Sequence, residues 1–330
     1  MNRLILFLGA LLLSAAGCDR EPCSLCSEEP VPRHLQLRLS GCVLETKSTE
    51  VPSLSDSHVV RCLLYVFNPA GMLVNCLSSA SGRFDLELPD GTYDFVAVAN
   101  KGGLPMADMT RQELMETVSS LDENAPGNFV MTGLLDSHSV TADEELTIEL
   151  QRFAGKVSCV VHTAFVGALK ALPFVVEEVF LTNVAGSGTL WHSGSTPPAE
   201  AVWFNRMDRE DAGPADLLYH PVGQRLGATD SLVMNHCFYA YPNQSADSHD
   251  KERWGSRCTR LVVKASLNGQ TVYYPVTLAY IRSNHHYHVD LTLSNYGLSH
   301  PEDRPDDYAG FQVSVSVVSW ESGASLQGTY

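Results

Sequence analysis

Two stretches at opposite ends of the chain alternate apolar and polar residues with the period of a strand, and together they constrain what the rest can fold into. Near the carboxyl terminus, Phe311, Val313, Val315 and Val317 fall on one side, and Gln312, Ser314 and Ser316 on the other. That is the pattern of a half-buried strand. After Trp320 and a turn-like Glu321-Ser-Gly323, alternation resumes, with Ala324, Leu326, Gly328 and Tyr330 on one parity and Ser325, Gln327 and Thr329 on the other. Near the start, His34 to Leu44 repeats the pattern, and Leu35, Leu37, Leu39 and Val43 share a face.

A strand of this kind needs a groove and free backbone partners, because a buried Leu or Tyr contributes roughly 1.5–3 kcal/mol only when something covers it. Since the two ends are alike, a groove built for one accepts the other. The pattern therefore predicts that the tail of one molecule replaces the first strand of the next, which is strand addition used for polymerisation. The competing arrangement, a tail packed on its own domain, satisfies the alternation equally well.

The first seventeen residues carry Arg3, an apolar run from Leu4 to Leu13, and small residues before Cys18. So short a run cannot span a bilayer as a retained helix, and it reads as a secretory signal peptide over 1–17. Ser14-Ala-Ala-Gly-Cys18 resembles a bacterial lipobox, which makes Cys18 the expected lipidation site and the acyl chains the membrane tether. The other reading is an ordinary signal with an incidental cysteine. Residues 18–33 are polar, acidic and proline-containing, and are expected to be a flexible tether.

With 38 acidic against 22 basic residues, the chain carries a net charge of −16. This argues against nucleic acid and anionic surfaces as partners. Besides Cys18 there are eight cysteines among nine, an even number that permits disulfides after export, although the spacing is not that of a small stapled scaffold. Cys23-Ser-Leu-Cys26 supplies half a zinc site, and no second pair at metal spacing follows.

Strand candidates follow at Val59–Phe67, Met72–Cys76, Arg83–Leu88, Thr92–Ala99 and Glu145–Gln151, with turns at Asn68-Pro-Ala-Gly71 and Pro89-Asp-Gly91. Arg61–Phe67 is apolar on both faces and is expected to be an interior strand. One helix is predicted over Thr110–Leu121, with Thr110 and Glu113 as a capping box. A boundary is placed near residues 151–153, dividing an amino-terminal domain over 34–152 from a carboxyl-terminal one over 153–320, with 321–330 as a tail. The second series runs Ala154–Phe165, Val175–Val184, Val233–Tyr241, Leu261–Leu267, Thr271–Tyr280, His286–Leu293 and Phe311–Trp320. Asn268-Gly269 suits a type I′ hairpin. The Pro-, Gly- and Asp-rich span from Ser193 to Asp230 is expected to be a surface loop.

Chemistry is harder to find. His286 and His288 share a strand parity, but no third metal ligand is visible nearby. Asp208-Arg-Glu-Asp211 and Glu302-Asp-Arg-Pro-Asp-Asp307 lack the order of a calcium loop and read as solvated acidic loops. Trp191-His-Ser-Gly194 lacks a nucleophile elbow, and Gly155-Lys156 lacks the upstream glycine of a phosphate loop. No catalytic residue, metal site or cofactor is expected. A surface lipoprotein that binds glycans or proteins, with Tyr241 and Trp254 as aromatic contacts, is the reading from another functional class.

Several landmarks also occur in one order: the lipobox; the amphipathic strand; Val59-Val-Arg-Cys-Leu-Leu-Tyr-Val-Phe-Asn68; Gly91-Thr-Tyr-Asp-Phe-Val-Ala-Val-Ala-Asn100; Phe129-Val-Met-Thr-Gly133; Leu150-Gln-Arg-Phe-Ala-Gly-Lys-Val157; Val272-Tyr-Tyr-Pro-Val276; Ile281–Val289; and a closing Val-Ser-Val-Val-Ser-Trp320 with a ten-residue tail. In this order the chain resembles the fimbrillin family of Bacteroidia, the subunits of type V pili. The resemblance implies a mainly β protein of two transthyretin-like β-sandwich domains with one short helix in the first. It further implies export as an outer-membrane lipoprotein and loss of the first strand to an arginine-specific protease. The emptied groove then receives the carboxyl-terminal strand of a neighbouring subunit, so other fimbrial subunits are the implied partners, and the surface ligand stays open. Mapped here, the displaced strand carries Leu35, Leu37, Leu39 and Val43, and the donor carries Ala324, Leu326, Gly328 and Tyr330. The expected cleavage loop holds Lys47 where the family pattern calls for Arg. Two outcomes follow, a polymerising subunit cut at Lys47 or an uncut, lipid-held anchor of the fibre.

Overall fold

The computed structural model describes residues 32–41, 43–44, 56–191, 197, 201–206, 211–248, 250, 252–303 and 311–320. The fold is mainly β. Through residue 152 the strands are β1 (Arg33–Ser40), β2 (Val43–Leu44), β3 (His58–Val59), β4 (Cys62–Phe67), β5 (Leu73–Ser79), β6 (Arg83–Leu88), β7 (Gly91–Ala99), β8 (Val118–Ser120), β9 (Met131–Val140), β10 (Glu144–Glu149) and β11 (Gln151–Arg152). They form a three-stranded sheet in the order β10-β1-β6 and a five-stranded sheet in the order β11-β9-β7-β4-β5. The inner faces meet in one cluster, where Leu35, Leu37 and Leu39 pack with Leu64, Val66, Phe84, Phe95 and Ile148.

The apolar run of β4 is explained by its two covered faces. Leu64 and Val66 enter that cluster, while Leu63, Tyr65 and Phe67 enter another on the opposite side with Leu114 and Leu190. Leu114 lies in helix α1 (Arg111–Met115), which has the predicted capping box: Thr110 Oγ1 accepts from Glu113 N at 3.2 Å, and the Glu113 carboxylate accepts from Thr110 N at 2.8 Å. The helix is shorter than expected. Thr117 turns its hydroxyl onto Glu113 O at 3.1 Å, Val118 is 58% exposed rather than part of an apolar stripe, and β8 pairs with Ser187–Thr189. β-Branched Thr and Val resist helix continuation.

The remaining strands are β12 (Gly155–Thr163), β13 (Phe174–Thr182), β14 (Val184–Ala185), β15 (Ser187–Thr189), β16 (Trp203–Phe204), β17 (Tyr219–Leu226), β18 (Ser231–Val233), β19 (Phe238–Ala240), β20 (Thr259–Leu267), β21 (Gln270–Leu278), β22 (His285–Leu293) and β23 (Phe311–Ser319). One sheet runs β18-β12-β22-β23, with β19 also on β12, and another runs β17-β13-β20-β21. Their facing side chains, among them Val157, Val161, Val179, Leu261, Val263, Val289 and Leu291, form a shared core. β20 and β21 close through Asn268 and Gly269, at φ 52° and 84°, which is the predicted type I′ hairpin.

Other expectations also need correction. The span 193–230 is not all loop: it holds helix α2 (Ala215–Leu218) and β17, an edge strand on β13. Pro221 and Gly223 disguised it, and an edge strand tolerates proline because its outward N–H needs no partner. β9 was missed because its second half is polar, with Asp136, Ser137 and His138, and because it contains Gly133. A Cβ at Gly133 would stand 2.6 Å from Glu149 O, so β9 needs glycine where it passes the backbone at Glu149. The expected strand Val233–Tyr241 is broken into β18 and β19, and His236 between them stacks on His220 with centroids 4.5 Å apart.

Candidate functional site

β1 is held on both edges. It runs parallel to β10, from Leu35 opposite Glu144 to Ser40 opposite Glu149, and antiparallel to β6, from Arg33 opposite Leu88 to Arg38 opposite Arg83. Leu35, Leu37 and Leu39 are 0%, 2% and 4% exposed, so one parity of the strand is fully seated while His34, Gln36 and Arg38 face outward. β6 and β10 meet through β1. Without it they would stand two strand spacings apart, about 10 Å, a slot one strand wide.

The entrance is fastened by charge. Arg33 pairs with Asp90 through two contacts of 2.5 and 3.0 Å, and Asp143 accepts from His34 N at 2.9 Å. The hydrogen bond between Arg33 and Asp90 raises the arginine pKa and lowers that of the carboxyl. Beyond Ser40, β2 pairs in parallel with β3, Val43 opposite His58. Cys18, Lys47, the Val43 side chain and the tail residues Ala324, Leu326, Gly328 and Tyr330 lie outside the described residues.

At the other end, β23 lines up with β22 from Phe311 opposite Leu293 to Ser319 opposite His285. Among the described residues its second edge is unpaired, and Val313 is 39% exposed, so the strand is less covered than its alternation suggested. Val315 and Val317 pack against the core.

Trp320, where the tail departs, is gripped more firmly. Its N–H donates to Asn284 O at 3.0 Å, and its ring stacks on Tyr239 at 5.6 Å and meets Phe129 edge-on at 5.6 Å. The Arg152 guanidinium carbon stands 4.6 Å, and Lys156 Nζ 5.4 Å, from its ring centre. These cations are tied in turn. Arg152 donates to Asp56 O at 2.8 Å, to Asn284 Oδ1 at 3.0 Å and to Ser57 Oγ, while Lys156 Nζ is 2.6 Å from Asp56 Oδ2. Tyr239 donates to the same carboxylate at 3.1 Å, and burial, reinforced by Asp56, raises its pKa.

The other candidate residues have structural partners. Ser158 Oγ lies 2.8 Å from His286 Nε2 and 2.9 Å from His288 Nδ1. Burial, with help from Lys156 and His288, lowers the His286 pKa to about 4. Among the described residues no group of three or more His, Cys, Asp or Glu is placed to hold a metal ion. Tyr241 is fully buried, hydrogen-bonded to Ser119 and Asn124 at 2.7 Å each, so it offers no face to a glycan. Trp254 packs edge-on against Trp203. Glu302 was expected in a solvated acidic loop and is instead fully buried, 2.8 Å from Arg260 and 3.3 Å from Arg257. Asn183 donates to its second oxygen at 2.8 Å.

Neither a protein-family model nor a curated protein matches the chain. Solved structures do. A fimbrilin from Porphyromonas gingivalis W83 superposes with a TM-score of 0.61 at 14% identity, over 88% of this chain and 98% of that one. The chain has a fimbrillin-like fold. A candidate cell adhesion protein from Bacteroides eggerthii gives a TM-score of 0.60 at 18% identity, covering 88% of this chain and 96% of its own. The tip fimbrial protein Mfa3 from Porphyromonas gingivalis gives 0.52 at 14% identity, over 88% and 100%. The fimbrillin-like fold thus accounts for most of the chain, and at these identities the likeness is one of architecture.

Proposed function

We propose that this chain is a structural subunit of a surface fimbria, and that subunits join when residues 321–330 of one molecule take the place of β1 in the next. The observation that carries this reading is the seating of β1: a strand at the amino-terminal end of the fold, paired along both edges, whose loss would leave a single slot lined by Leu64, Phe84, Phe95 and Ile148. A replacement strand would regain main-chain bonds of roughly 0.5–1.5 kcal/mol each, plus the burial of its apolar side chains. Such a joint dissociates slowly without any catalytic chemistry.

On this reading Cys18 carries lipid that brings the chain to the outer membrane, and a cut after Lys47 frees β1. Arg38 is a poor alternative for a protease because it lies within the paired length of β1, and Arg33 because its side chain is bound to Asp90. If Lys47 is not cut, the same molecule stays lipid-held and serves as the anchor of the fibre. The division into two β-sandwich domains near 152–153 belongs to this proposal. It is supported by the packing, since Leu150 belongs to the first core and Phe153 and Ala154 to the second.

Deleting Glu321–Tyr330 tests the joint. The shortened chain should be exported and folded yet absent from fibres, and fibres of normal length built from it would exclude strand donation by the tail.

A further inference from the structure

The contacts around Arg152 join the two ends of the chain, and the assembly reading does not account for them. Asp56 and Ser57 are the first described residues after the segment that follows β1 and β2, and Trp320 is the last before the tail. One guanidinium binds the first pair and lies over the ring of the third, while Lys156 repeats the bridge from the Asp56 carboxylate to that ring. Asn284 completes it, accepting from Arg152 through its side chain and from Trp320 N through its backbone.

Resting on the proposed strand exchange, we propose that this cluster is a latch: residues 56–57 hold Arg152 and Lys156 against Trp320, so departure of the first strand loosens the last. The physical sequence is short. β2 pairs with β3 immediately beyond Ser57, and loss of the β1–β2 segment removes that pairing. Asn100 keeps its own hold farther on, donating to His58 O at 2.8 Å and accepting from Val60 N at 2.9 Å, so the stretch that loosens after the cut, from Ser48 onward, ends at about residue 57. Once residues 56–57 leave, Lys156 loses the Asp56 carboxylate and Arg152 loses the Asp56 carbonyl and the Ser57 hydroxyl, and both cations gain from hydration, which draws them off the ring; cation–π contacts weaken as the cation becomes solvated. The tail's base is then freed in a molecule whose own slot has just opened. Molecules not yet processed keep their donor end pinned and do not extend fibres prematurely.

Hydrogen exchange read by mass spectrometry on the full chain tests the latch. In Asp56→Ala, amides in 311–320 should exchange at least about tenfold faster than in the parent, while those in 174–182 and 259–267 keep their rates; local opening reads out in this way. Asp56→Asn, which keeps the shape and the bond to Tyr239 but not the charge, should fall between. Unchanged exchange at 311–320 in both variants would overturn the latch and leave strand exchange standing. Accelerated exchange in a chain that never forms fibres would uphold the contact network and remove the assembly reading.

Discussion

At the residue scale, the most consequential side chain after the leucines of β1 is Glu302. Its carboxylate is shared by Arg257 and Arg260 where all three are essentially dry, with exposures of 0% and 1% for the two arginines, and Arg260 also reaches Asp247 at 3.1 Å. Removing one member of such a set leaves charge buried and unpaired, so Glu302→Ala should lower the unfolding free energy by about 3–5 kcal/mol in chemical denaturation. A loss under about 1 kcal/mol would mean the arginines are solvated after all. His286 makes a pH prediction. Its folded pKa, lowered to about 4 by burial, lies below the ordinary histidine value, so between pH 4 and 6.5 the unfolded chain binds more protons. Stability therefore falls as pH drops through that window, and His286→Gln should flatten the dependence in denaturation series at several pH values. Neither role was legible in the sequence. The acidic run around Glu302 reads as solvated because its arginine partners lie 42 and 45 positions away, and distance along the chain carries no sign of burial.

At the element scale, β1 ties sequence to function. Its parity was readable because one face is buried and the other wet, and the turn chemistry at Asn268-Gly269 was readable because only two positive φ angles close that hairpin. β9 and β17 were not, since each breaks its alternation with glycine or proline where a neighbouring backbone or an open edge permits it. The partnership between β8 and β15 is long-range and leaves no local pattern. The same element gives a differential prediction. Leu37→Ala should destabilise the unprocessed chain by about 2–5 kcal/mol, the cost of emptying a buried leucine site. Fibres, which on the proposed exchange have lost β1, should keep their parental denaturant resistance. Equal weakening of both in urea titrations would place Leu37 in the finished joint and contradict replacement.

At the scale of the whole molecule, β1 seated between β6 and β10 lies near the amino end, and β23, which leads to the tail, lies near the carboxyl end. That asymmetry suits head-to-tail growth, since a heterologous contact that does not close generates a filament. The acidic balance, −16 over the chain, fits a surface that does not adhere to itself side by side. The measurement that bears most directly on this account is the amino-terminal mass of subunits recovered from fibres on the cell surface. The account predicts that the bulk of them begin at Ser48 and lack Leu35, Leu37 and Leu39. Fibres made throughout of chains that still carry acylated Cys18 and an intact β1 would contradict it.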